Sequence, residues 1–579
     1  MSAMATKSRP ITGYSEYFYI CKMKITGLIT NRTDLSGKYR RFWLLAFLVS
    51  VLGTVDIPGS LILPNLLRGW AVCLCISCLK ATAITAVLWW LGRLRKKVLT
   101  AAFYLLFSLY ALLCIFNSVA YGLYGIGITI RLLNVLSQTN ASEAMEFIPG
   151  LATNLLHAAV SAKVLAGAAA VAVMFIAVRY IPARAFVCVA ALGSLLGFGA
   201  LAWAAFGLPQ GRNTFSTCVR FAKAVVQNRR EMAEIERFNA RLVPFADADK
   251  VESDHMADIV MVIGESASKK HMSLYGYPLP TTPFSDAMRD SLFVFEDALG
   301  SSITTADNME KILSFLNDSD TDRKWYDVPL LIDLFNAAGY RTFWISNQEQ
   351  SGLYGNATTA MSSNADVIEY VGALSSEDFI MARYDEAVMP WFHSALSAGG
   401  DTPIFMAVHL MGSHIRFSNR YPAGFAKFSG ADVENAVDKP WLTDASAEIV
   451  AAYDNSICYT DSLMHCMIKE LAAKSRPAAL VYFSDHGENV YDTHNFMGRD
   501  RSVAEVPFVI YLNRAFREAN PELTARMAVV LDRPFSTASV IHSLMTLTGT
   551  SYPLYDSSRD VLSPEFTIRE RYVEGEVWE

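Results

Sequence analysis

Five apolar segments in the first 210 residues constrain the fold of this chain most. Each is long enough to cross the hydrocarbon layer of a membrane, since about 20 residues suffice. They predict an N-terminal transmembrane domain of five helices, at residues 42–62, 70–91, 101–126, 162–181 and 184–208. The chain of 579 residues has a mean hydropathy of +0.24, which indicates a membrane part joined to a water-soluble part.

Basic residues beside these segments predict their orientation. They precede the first segment, separate the second from the third and bracket the turn between the fourth and fifth: Lys38, Arg40, Arg41, Arg93, Arg95, Lys96, Lys97, Arg179 and Arg184. Positively charged loops stay on the cytoplasmic side, so five crossings place everything after residue 208 on the opposite side. The first 40 residues lack an apolar core, so we expect no cleavable signal peptide.

Two charged residues, Asp56 and Lys80, fall within the first and second predicted crossings. Their depths differ by a distance that a lysine side chain covers, so we predict an ion pair between the two helices. The alternative is that each side chain reaches the membrane surface separately.

Charge and cysteine content exclude two other classes of protein. The net charge of -6 argues against a nucleic-acid binder. Five of the nine cysteines lie in apolar runs, and Cys458 and Cys466 lie eight residues apart on a predicted helix. That spacing separates them by about 12 Å along the axis, which is too far for a disulfide. We therefore expect no disulfide framework.

The sequence pattern changes after the last apolar segment. Residues 211–253 mix basic, acidic and apolar side chains at helical spacing, which predicts an amphipathic bridging segment. In residues 254–579 short apolar strands alternate with helical stretches, which predicts an α/β domain with a largely parallel central sheet flanked by helices. The predicted organisation is a cytoplasmic segment (1–41), a transmembrane domain (42–210), the bridge (211–253) and the α/β domain (254–579).

Four predicted strands of the α/β domain end in polar residues. DIVMVIGES, YRTFWISNQ, PIFMAVHLMGSH and AALVYFSDHGE end in Glu265, in Ser346 and Asn347, in His414, and in Asp485 and His486. Ligands of open α/β sheets bind beyond the carboxyl ends of the strands, so these side chains are expected at one edge. Two carboxylates and an imidazole suit a divalent metal ion. They predict Zn²⁺, although Mn²⁺ also accepts such ligands.

The stretch LGSSITTADNMEKILSFLN, residues 299–317, places hydroxyl groups directly before a predicted helix. One interpretation is that these hydroxyl groups only cap the helix. The other is that one of them is a nucleophile, because the N–H groups at a helix N-terminus attract phosphate and a bound metal ion activates a threonine hydroxyl. A rival nucleophile is Ser266, with Asp485 and His494 as the partners of a serine hydrolase. The turn of such hydrolases carries glycine two residues after the nucleophile, where this chain has serine.

Taken together, the motifs resemble those of the phosphoethanolamine transferases of the bacterial envelope, in the alkaline phosphatase/sulfatase-like superfamily. The resemblance rests on VIGESASKKHMSLYGYPLPTTP, AGYRTFWISNQ, VHLMGSHIRFSNRYP and VYFSDHGENVYDTH, and it is greatest to the branch that modifies the lipopolysaccharide core. It implies a multi-pass protein of the bacterial inner membrane with a periplasmic catalytic domain. The implied activity is transfer of phosphoethanolamine from phosphatidylethanolamine to lipopolysaccharide, at a core sugar or at lipid A.

The resemblance also implies roles for individual residues. It places the nucleophile on Thr305, forty residues after Glu265, with Thr304 as the fallback. The implied zinc ligands are Glu265, Thr305, Asp485 and His486. The histidines implied to contact phosphate or substrate are His414 and His494.

The resemblance also implies substrate-binding residues in the loop before the fourth crossing. Thr139 and Glu143 match polar positions of the family there, and Asn134 matches a family asparagine if the spacing is shifted by one residue. Glu143 also fits a capping box with Asn140, so a plain helix start remains the alternative. The chain departs from the members that modify lipid A, because it lacks their disulfides and their lysine after the strand that ends at Ser346. Asn347 follows that strand, and we predict that it contacts substrate.

The predicted mechanism has two steps. Zinc-bound Thr305 attacks the donor phosphorus and diacylglycerol leaves; a hydroxyl or phosphate of lipopolysaccharide then collects the group from the phospho-threonine intermediate. The added amine reduces the attraction of the envelope for cationic antimicrobial peptides. We expect a monomer. The alternatives are a glycerol-phosphate transferase of the same superfamily, a phosphatase or sulfatase-type hydrolase, and a membrane sensor whose outer domain only binds a ligand.

Overall fold

The computed structural model describes most of the chain, in two compact units. One unit is N-terminal and helical, and the other is C-terminal and contains the α/β domain. The described residues are 37–52, 63–94, 96–124, 183–207, 221–222, 225–226, 229–230, 233, 250–253, 257–348, 357–372, 384–398, 400–439, 442–492 and 501–578.

The helical unit contains long apolar helices. Its described helices are α1 (Gly37–Leu52), α2 (Leu63–Arg93), α3 (Lys97–Tyr124) and α4 (Ala183–Gly207). Within the described residues, Leu74–Arg93 and Lys97–Ser118 are long and apolar enough to cross a membrane, and Ala185–Gly199 is a shorter apolar stretch. The predicted crossing 162–181 lies outside the described residues, as does Asp56. The number of crossings and the ion pair with Lys80 therefore stay predictions.

Small and hydroxyl-bearing side chains let the helices of this unit approach closely. The Trp43 indole on α1 and the Ser194 hydroxyl on α4 both donate to Thr82 Oγ1 on α2, over 3.0 and 2.7 Å. A Cβ atom on Gly197 would lie 2.1 Å from the Cys75 carbonyl oxygen, so only glycine permits this crossing of α2 and α4.

The α/β unit is built around one large sheet flanked by helices. Its strands are β1 (Glu252–Ser253), β2 (Asp258–Gly264), β3 (Leu292–Leu299), β4 (Arg341–Ser346), β5 (Val367–Tyr370), β6 (Ile404–His409), β7 (Ala478–Ser484), β8 (Glu505–Leu512), β9 (Phe535–Ser536), β10 (Thr550–Ser551), β11 (Arg571–Val573) and β12 (Glu576–Trp578). Its α-helices are α5 (Pro283–Ala287), α6 (Thr305–Ile312), α7 (Leu331–Ala337), α8 (Ala357–Ser362), α9 (Met389–Ala398), α10 (Gly430–Ala436), α11 (Asp444–Ala472), α12 (Arg514–Ala519), α13 (Pro521–Met527) and α14 (Val540–Thr548).

Among the described residues, eight strands form the central sheet in the order β5-β4-β6-β2-β7-β8-β3-β9. Neighbouring strands are parallel except where β8 meets β7 and β3. The prediction of a largely parallel sheet is therefore confirmed. Because β2, β3, β4, β6 and β7 run the same way, the residues that follow them emerge along one edge. Two small antiparallel pairs, β1 with β10 and β11 with β12, lie outside this sheet.

The sheet is buried on both faces, which explains its continuous apolar strands. In β2 every residue is buried, and alternate side chains enter two different cores. Ile259, Met261 and Ile263 pack in the core that α6, α7 and α14 cover. Val260 and Val262 pack in the core that α9 and α11 cover. Two packed layers of helices thus hold the strand ends rigidly at the polar edge.

Candidate active site

Three side chains predicted as metal ligands meet at the carboxyl edge of the sheet. Glu265 directly follows β2, and Asp485 and His486 directly follow β7, which is paired with β2 up to Gly264 and Ser484. One ligand atom from each residue lies within 4.8 Å of the others; Glu265 and Asp485 are buried, and the side chain of His486 is 12% exposed. His486 Nε2 is 3.4 Å from Glu265 Oε1 and 3.5 Å from Asp485 Oδ2.

Electrostatics in this cluster favour a cation. Burial and the nearby charge of Glu265 raise the pKa of Asp485 to about 7. Burial alone would lower the pKa of His486, but Asp485 and a hydrogen bond with Glu265 outweigh it and raise that pKa to about 10. Burial opposes the charge on Glu265, yet His486 and His414 hold its pKa below the ordinary value. The two carboxylates are therefore stable as anions only beside a positive charge.

The donor atoms also fit a metal ion. His486 Nδ1 lies 2.8 Å from Gly487 O and donates its N–H there, so Nε2, which faces the carboxylates, is the atom that would give its lone pair to a metal ion once it loses its proton. Asp485 Oδ1 accepts hydrogen bonds from the N–H groups of Ser266 and His486. Its Oδ2 is buried and has no hydrogen-bond partner among the described residues. Such an oxygen is costly to bury unless a cation binds it, and this donor set suits Zn²⁺ or Mn²⁺.

Glu265 is held in place by two turns with unusual backbone conformations. Ser413 N donates to Glu265 O over 2.8 Å, and the adjacent Gly412 has a φ of +49° with its Cβ position only 2.7 Å from Glu265 N. A side chain at Gly412 would displace the glutamate. Ser266 has a φ of +56° and donates its hydroxyl to Glu265 Oε1 over 2.7 Å. The strained turn and this bond together aim the Glu265 carboxylate.

Thr305 is the predicted nucleophile that reaches the cluster. It is the first residue of α6, and its hydroxyl donates to Glu265 Oε2 over 3.1 Å and lies 3.4 Å from His486 Nε2. Thr304, the fallback, instead donates to Asp307 Oδ2 over 3.1 Å. The first N–H groups of a helix have no partner within it, so the Thr305 hydroxyl stands where a phosphate would be attracted.

The loop between β3 and α6 is tightly bonded to its own helix. Asn308 Nδ2 donates to the carbonyl oxygens of Ser302 and Thr304, and Asn308 Oδ1 accepts from Ser302 N. At the start of the loop, a Cβ atom on Gly300 would lie 2.8 Å from Asp485 O. The loop and the ligand turn after β7 therefore fit together only with glycine at this position.

Asn347, predicted to contact substrate, is buried and bound to protein. Its Nδ2 donates to Asp385 Oδ1 over 2.8 Å. Asp385 in turn accepts from the N–H groups of Met411 and Gly412, each over 2.8 Å. In the described structure Asn347 thus supports the turn that holds Glu265, and its contact with substrate stays a prediction.

Gln348 is a site residue that was not predicted from the sequence. Its Nε2 donates to Glu265 Oε2 over 3.0 Å and to Leu410 O over 3.2 Å. Its position two residues after the end of β4, at the polar edge of the sheet, is the sequence feature that indicates this role.

The remaining predicted residues divide into those that are described and those that are not. His414 is half-buried and close enough to lower the pKa of Glu265 by its charge. A histidine not predicted, His409, is buried at the end of β6, where burial lowers its pKa to about 4 and favours the neutral ring. The other predicted residues lie outside the described part of the chain: Asn134, Thr139, Glu143 and His494.

Comparisons with known proteins assign the α/β domain to a family. The sulfatase family model matches residues 257–550, just over half of the chain. The phosphoethanolamine transferase EptC of Escherichia coli strain K12 is 31% identical over 367 residues, which cover 61% of this chain and 62% of that protein. The match thus spans less than two thirds of that relative.

Two solved structures are also similar. The zinc complex of the C-terminal periplasmic domain of EptC from Escherichia coli covers 56% of this chain and 91% of its own, with 31% identity and a TM-score of 0.50. The integral membrane protein lipooligosaccharide phosphoethanolamine transferase A from Neisseria meningitidis covers 90% of this chain and 98% of its own. At 18% identity and a TM-score of 0.62, that second likeness shows a shared fold.

Proposed function

This chain belongs to the sulfatase family, and we propose that it transfers phosphoethanolamine from phosphatidylethanolamine to lipopolysaccharide, at a core sugar or at lipid A. One observation carries the proposal. The Thr305 hydroxyl lies 3.1 Å from a buried carboxylate, at the N-terminus of a helix and beside a cluster suited to a metal ion. A nucleophile, a phosphate-attracting helix end and metal ligands in one place suit phosphoryl transfer. The similarity to EptC, which is a phosphoethanolamine transferase, supports phosphoethanolamine as the transferred group.

The metal ion is proposed to be a single Zn²⁺, and the same ligands would accept Mn²⁺. Its ligands would be Glu265, Thr305, Asp485 and His486. When bound, it supplies a Lewis acid that polarises a phosphoryl oxygen and lowers the pKa of the threonine hydroxyl.

In the first step, Thr305 Oγ1 forms a bond to the phosphorus of phosphatidylethanolamine and the bond from phosphorus to the glycerol oxygen breaks. The proton lost by Thr305 ends on that oxygen, so the leaving product is diacylglycerol. His414 and His494 bind phosphoryl oxygens or carry this proton, a role that suits histidine because an imidazole exchanges protons near neutral pH. The N–H groups at the start of α6 stabilise the negative phosphoryl oxygens. Phosphoethanolamine remains on Thr305 as a phosphodiester.

The second step reverses the first with a different oxygen. A hydroxyl or phosphate oxygen of lipopolysaccharide forms a bond to phosphorus, the bond to Thr305 Oγ1 breaks, and the threonine recovers a proton. Thr305 is partly exposed. This suits the two-step reaction, because two large lipids must reach the threonine hydroxyl oxygen in turn. The transferred amine adds a positive charge to an anionic surface and so weakens the binding of cationic antimicrobial peptides.

The proposed setting is the bacterial inner membrane, where residues 42–210 cross five times and hold a monomer with its catalytic domain in the periplasm. Phosphatidylethanolamine would enter from the membrane, and the remaining substrate contacts are assigned to Asn134, Thr139, Glu143 and Asn347. Two described helices already have the length and apolarity that this arrangement needs.

The proposal is tested by intact mass spectrometry of the full-length protein after incubation with phosphatidylethanolamine, with zinc content measured in parallel. We expect one added phosphoethanolamine on the wild type, none on Thr305→Ala, and an unchanged adduct on the matched control Thr304→Ala. Transfer to lipopolysaccharide should then remove the adduct. An adduct formed from phosphatidylglycerol instead would favour glycerol-phosphate transfer. A metal-loaded wild type without any adduct would contradict a covalent mechanism.

A further inference from the structure

The C-terminal hairpin contacts the loop that precedes the candidate nucleophile. It consists of β11 and β12 and lies beyond the segment that the sulfatase model matches, residues 257–550. Arg571 binds both carboxylate oxygens of Asp297 on β3, over 2.6 and 3.1 Å. Val573 packs against Leu299 at the end of the same strand. The hairpin is therefore fixed to the central sheet.

Glu574, in the turn of this hairpin, is bonded to three successive residues of the loop. Its N–H donates to Ser301 O over 3.1 Å. Its Oε1 accepts from the Ser302 hydroxyl and, over 3.1 Å, from Ile303 N. Thr305 follows two residues later, so the carboxylate holds the chain directly before α6.

The backbone of this turn disfavours glutamate. Val573 pairs with Glu576, so Glu574 and Gly575 form a two-residue loop, and their φ angles are +58° and +73°. Hairpin turns of this kind prefer asparagine, aspartate or glycine at the first position. A glutamate in the left-handed region is strained. Its longer side chain, however, reaches Ser302 and Ile303.

The hairpin connects the loop to the central sheet, whereas the hydrogen bonds from Asn308 do not. Asn308 bonds Ser302 and Thr304, but it belongs to α6, so these bonds tie the loop only to its own helix. Glu574 ties the loop to a hairpin that Arg571 fixes on β3. It thus sets the start of α6 relative to the sheet edge that carries Glu265.

We propose that Glu574 is a positioning residue for the Thr305 hydroxyl. It maintains the 3.1 Å separation between Thr305 Oγ1 and Glu265 Oε2 by fixing residues 302 and 303. Its effect on rate rests on the proposed function, whereas its effect on the loop does not. The bonds to Ser302 and Ile303 both end on Oε1, so the amide oxygen of a glutamine at this position can accept both of them. An asparagine suits the turn better and is too short to reach.

The test compares Glu574→Asn, Glu574→Gln and a control, Glu570→Asn, in the full-length, metal-loaded protein. Glu570 is exposed and lies just before the hairpin. Hydrogen–deuterium exchange should become faster in residues 300–305 of Glu574→Asn alone, with no loss of melting temperature. In the transfer assay Glu574→Asn should lower kcat about tenfold or more at an unchanged KM for phosphatidylethanolamine, and Glu574→Gln should retain most activity.

Unchanged exchange in Glu574→Asn would overturn the positioning role, as would exchange that rises throughout the α/β domain. Faster exchange with a wild-type kcat would also overturn it, since the loop would then move without consequence for Thr305. If the wild type transfers nothing, the proposed function fails, and exchange in residues 300–305 alone decides the positioning role.

Discussion

Replacing Gly412 by alanine tests how firmly the protein must hold Glu265. The added Cβ would lie 2.7 Å from Glu265 N and 2.8 Å from Glu265 O, about 0.7 Å closer than ordinary contact begins. Both contacts are to backbone atoms, which cannot rotate away as a side chain can. The φ of +49° at Gly412 adds the strain of a left-handed alanine.

The matched control is Gly400→Ala, because Gly400 has a φ of +55° and nothing within 4 Å of its Cβ position. Both variants carry the left-handed penalty of about 1–2 kcal/mol. Gly412→Ala alone adds steric overlap in a packed interior, which costs about 1–3 kcal/mol. At about 2–4 °C per kcal/mol, Gly412→Ala should melt several degrees below the control. Displacing the Glu265 backbone should also weaken zinc binding about 10- to 100-fold.

The assay is thermal melting of the two variants and the wild type, followed by zinc titration against a competing chelator. Gly400→Ala should keep the zinc affinity of the wild type. If Gly412→Ala melts with the control and binds zinc as the wild type does, the close contact with Glu265 is not what requires glycine. A lower melting temperature with unchanged zinc affinity would refute the inferred link from Gly412 to the carboxylate.

Two further predictions concern stability and the support of Glu265. Burial lowers the pKa of His542 from 6.5 to about 4, so the unfolded chain binds this proton first. His542 should therefore contribute about 3 kcal/mol to the loss of stability as pH drops from about 6.5 to about 4. His542→Phe should flatten this decline in melting temperature, whereas His393→Gln, at an exposed histidine, should leave it unchanged; an equally steep decline in His542→Phe would contradict the assignment. Gln348→Ala should weaken zinc binding about tenfold by removing a donor to Glu265. Asn347→Ala should instead lower the free energy of unfolding by about 1–3 kcal/mol, because Asp385 would lose a hydrogen-bond donor. Equal zinc affinities in Gln348→Ala and Asn347→Ala would refute these separate roles.

The parallel sheet and its polar edge could be predicted because both follow from local composition. A strand buried on two faces is apolar throughout, as β2 and β7 are, and polar residues directly after such strands collect at one edge. The direction of β8 could not be predicted. Its sequence, EVPFVIYL, is as apolar as that of the strands around it. Only its antiparallel pairing with β7 and β3 distinguishes it.

The choice between Thr304 and Thr305 could not come from residue types, since the two are identical. It depends on where α6 begins, because successive residues of a helix point about 100° apart. In the structure Thr304 precedes the helix and bonds Asp307, and Thr305 opens the helix and faces Glu265. The roles of Asn347 and Gln348 were hidden for a related reason. Adjacent side chains bond Asp385 and Glu265, which are remote in sequence.

Residues depart from the backbone conformations that their side chains prefer where a contact with a residue remote in sequence matters more. Such a departure is the sequence signal that was missed. Ser266 and Glu574 adopt a positive φ that their side chains disfavour, and each bonds a group at the candidate site. In RYVEGEVWE, at the C-terminal end, two strand-like stretches flank Glu-Gly where a hairpin turn favours Asn-Gly. That mismatch was readable from the sequence, and it marks the glutamate as a residue kept for the reach of its carboxylate. If Glu574→Asn raises the melting temperature and lowers kcat together, the result will show that the turn prefers asparagine whereas the reaction requires glutamate.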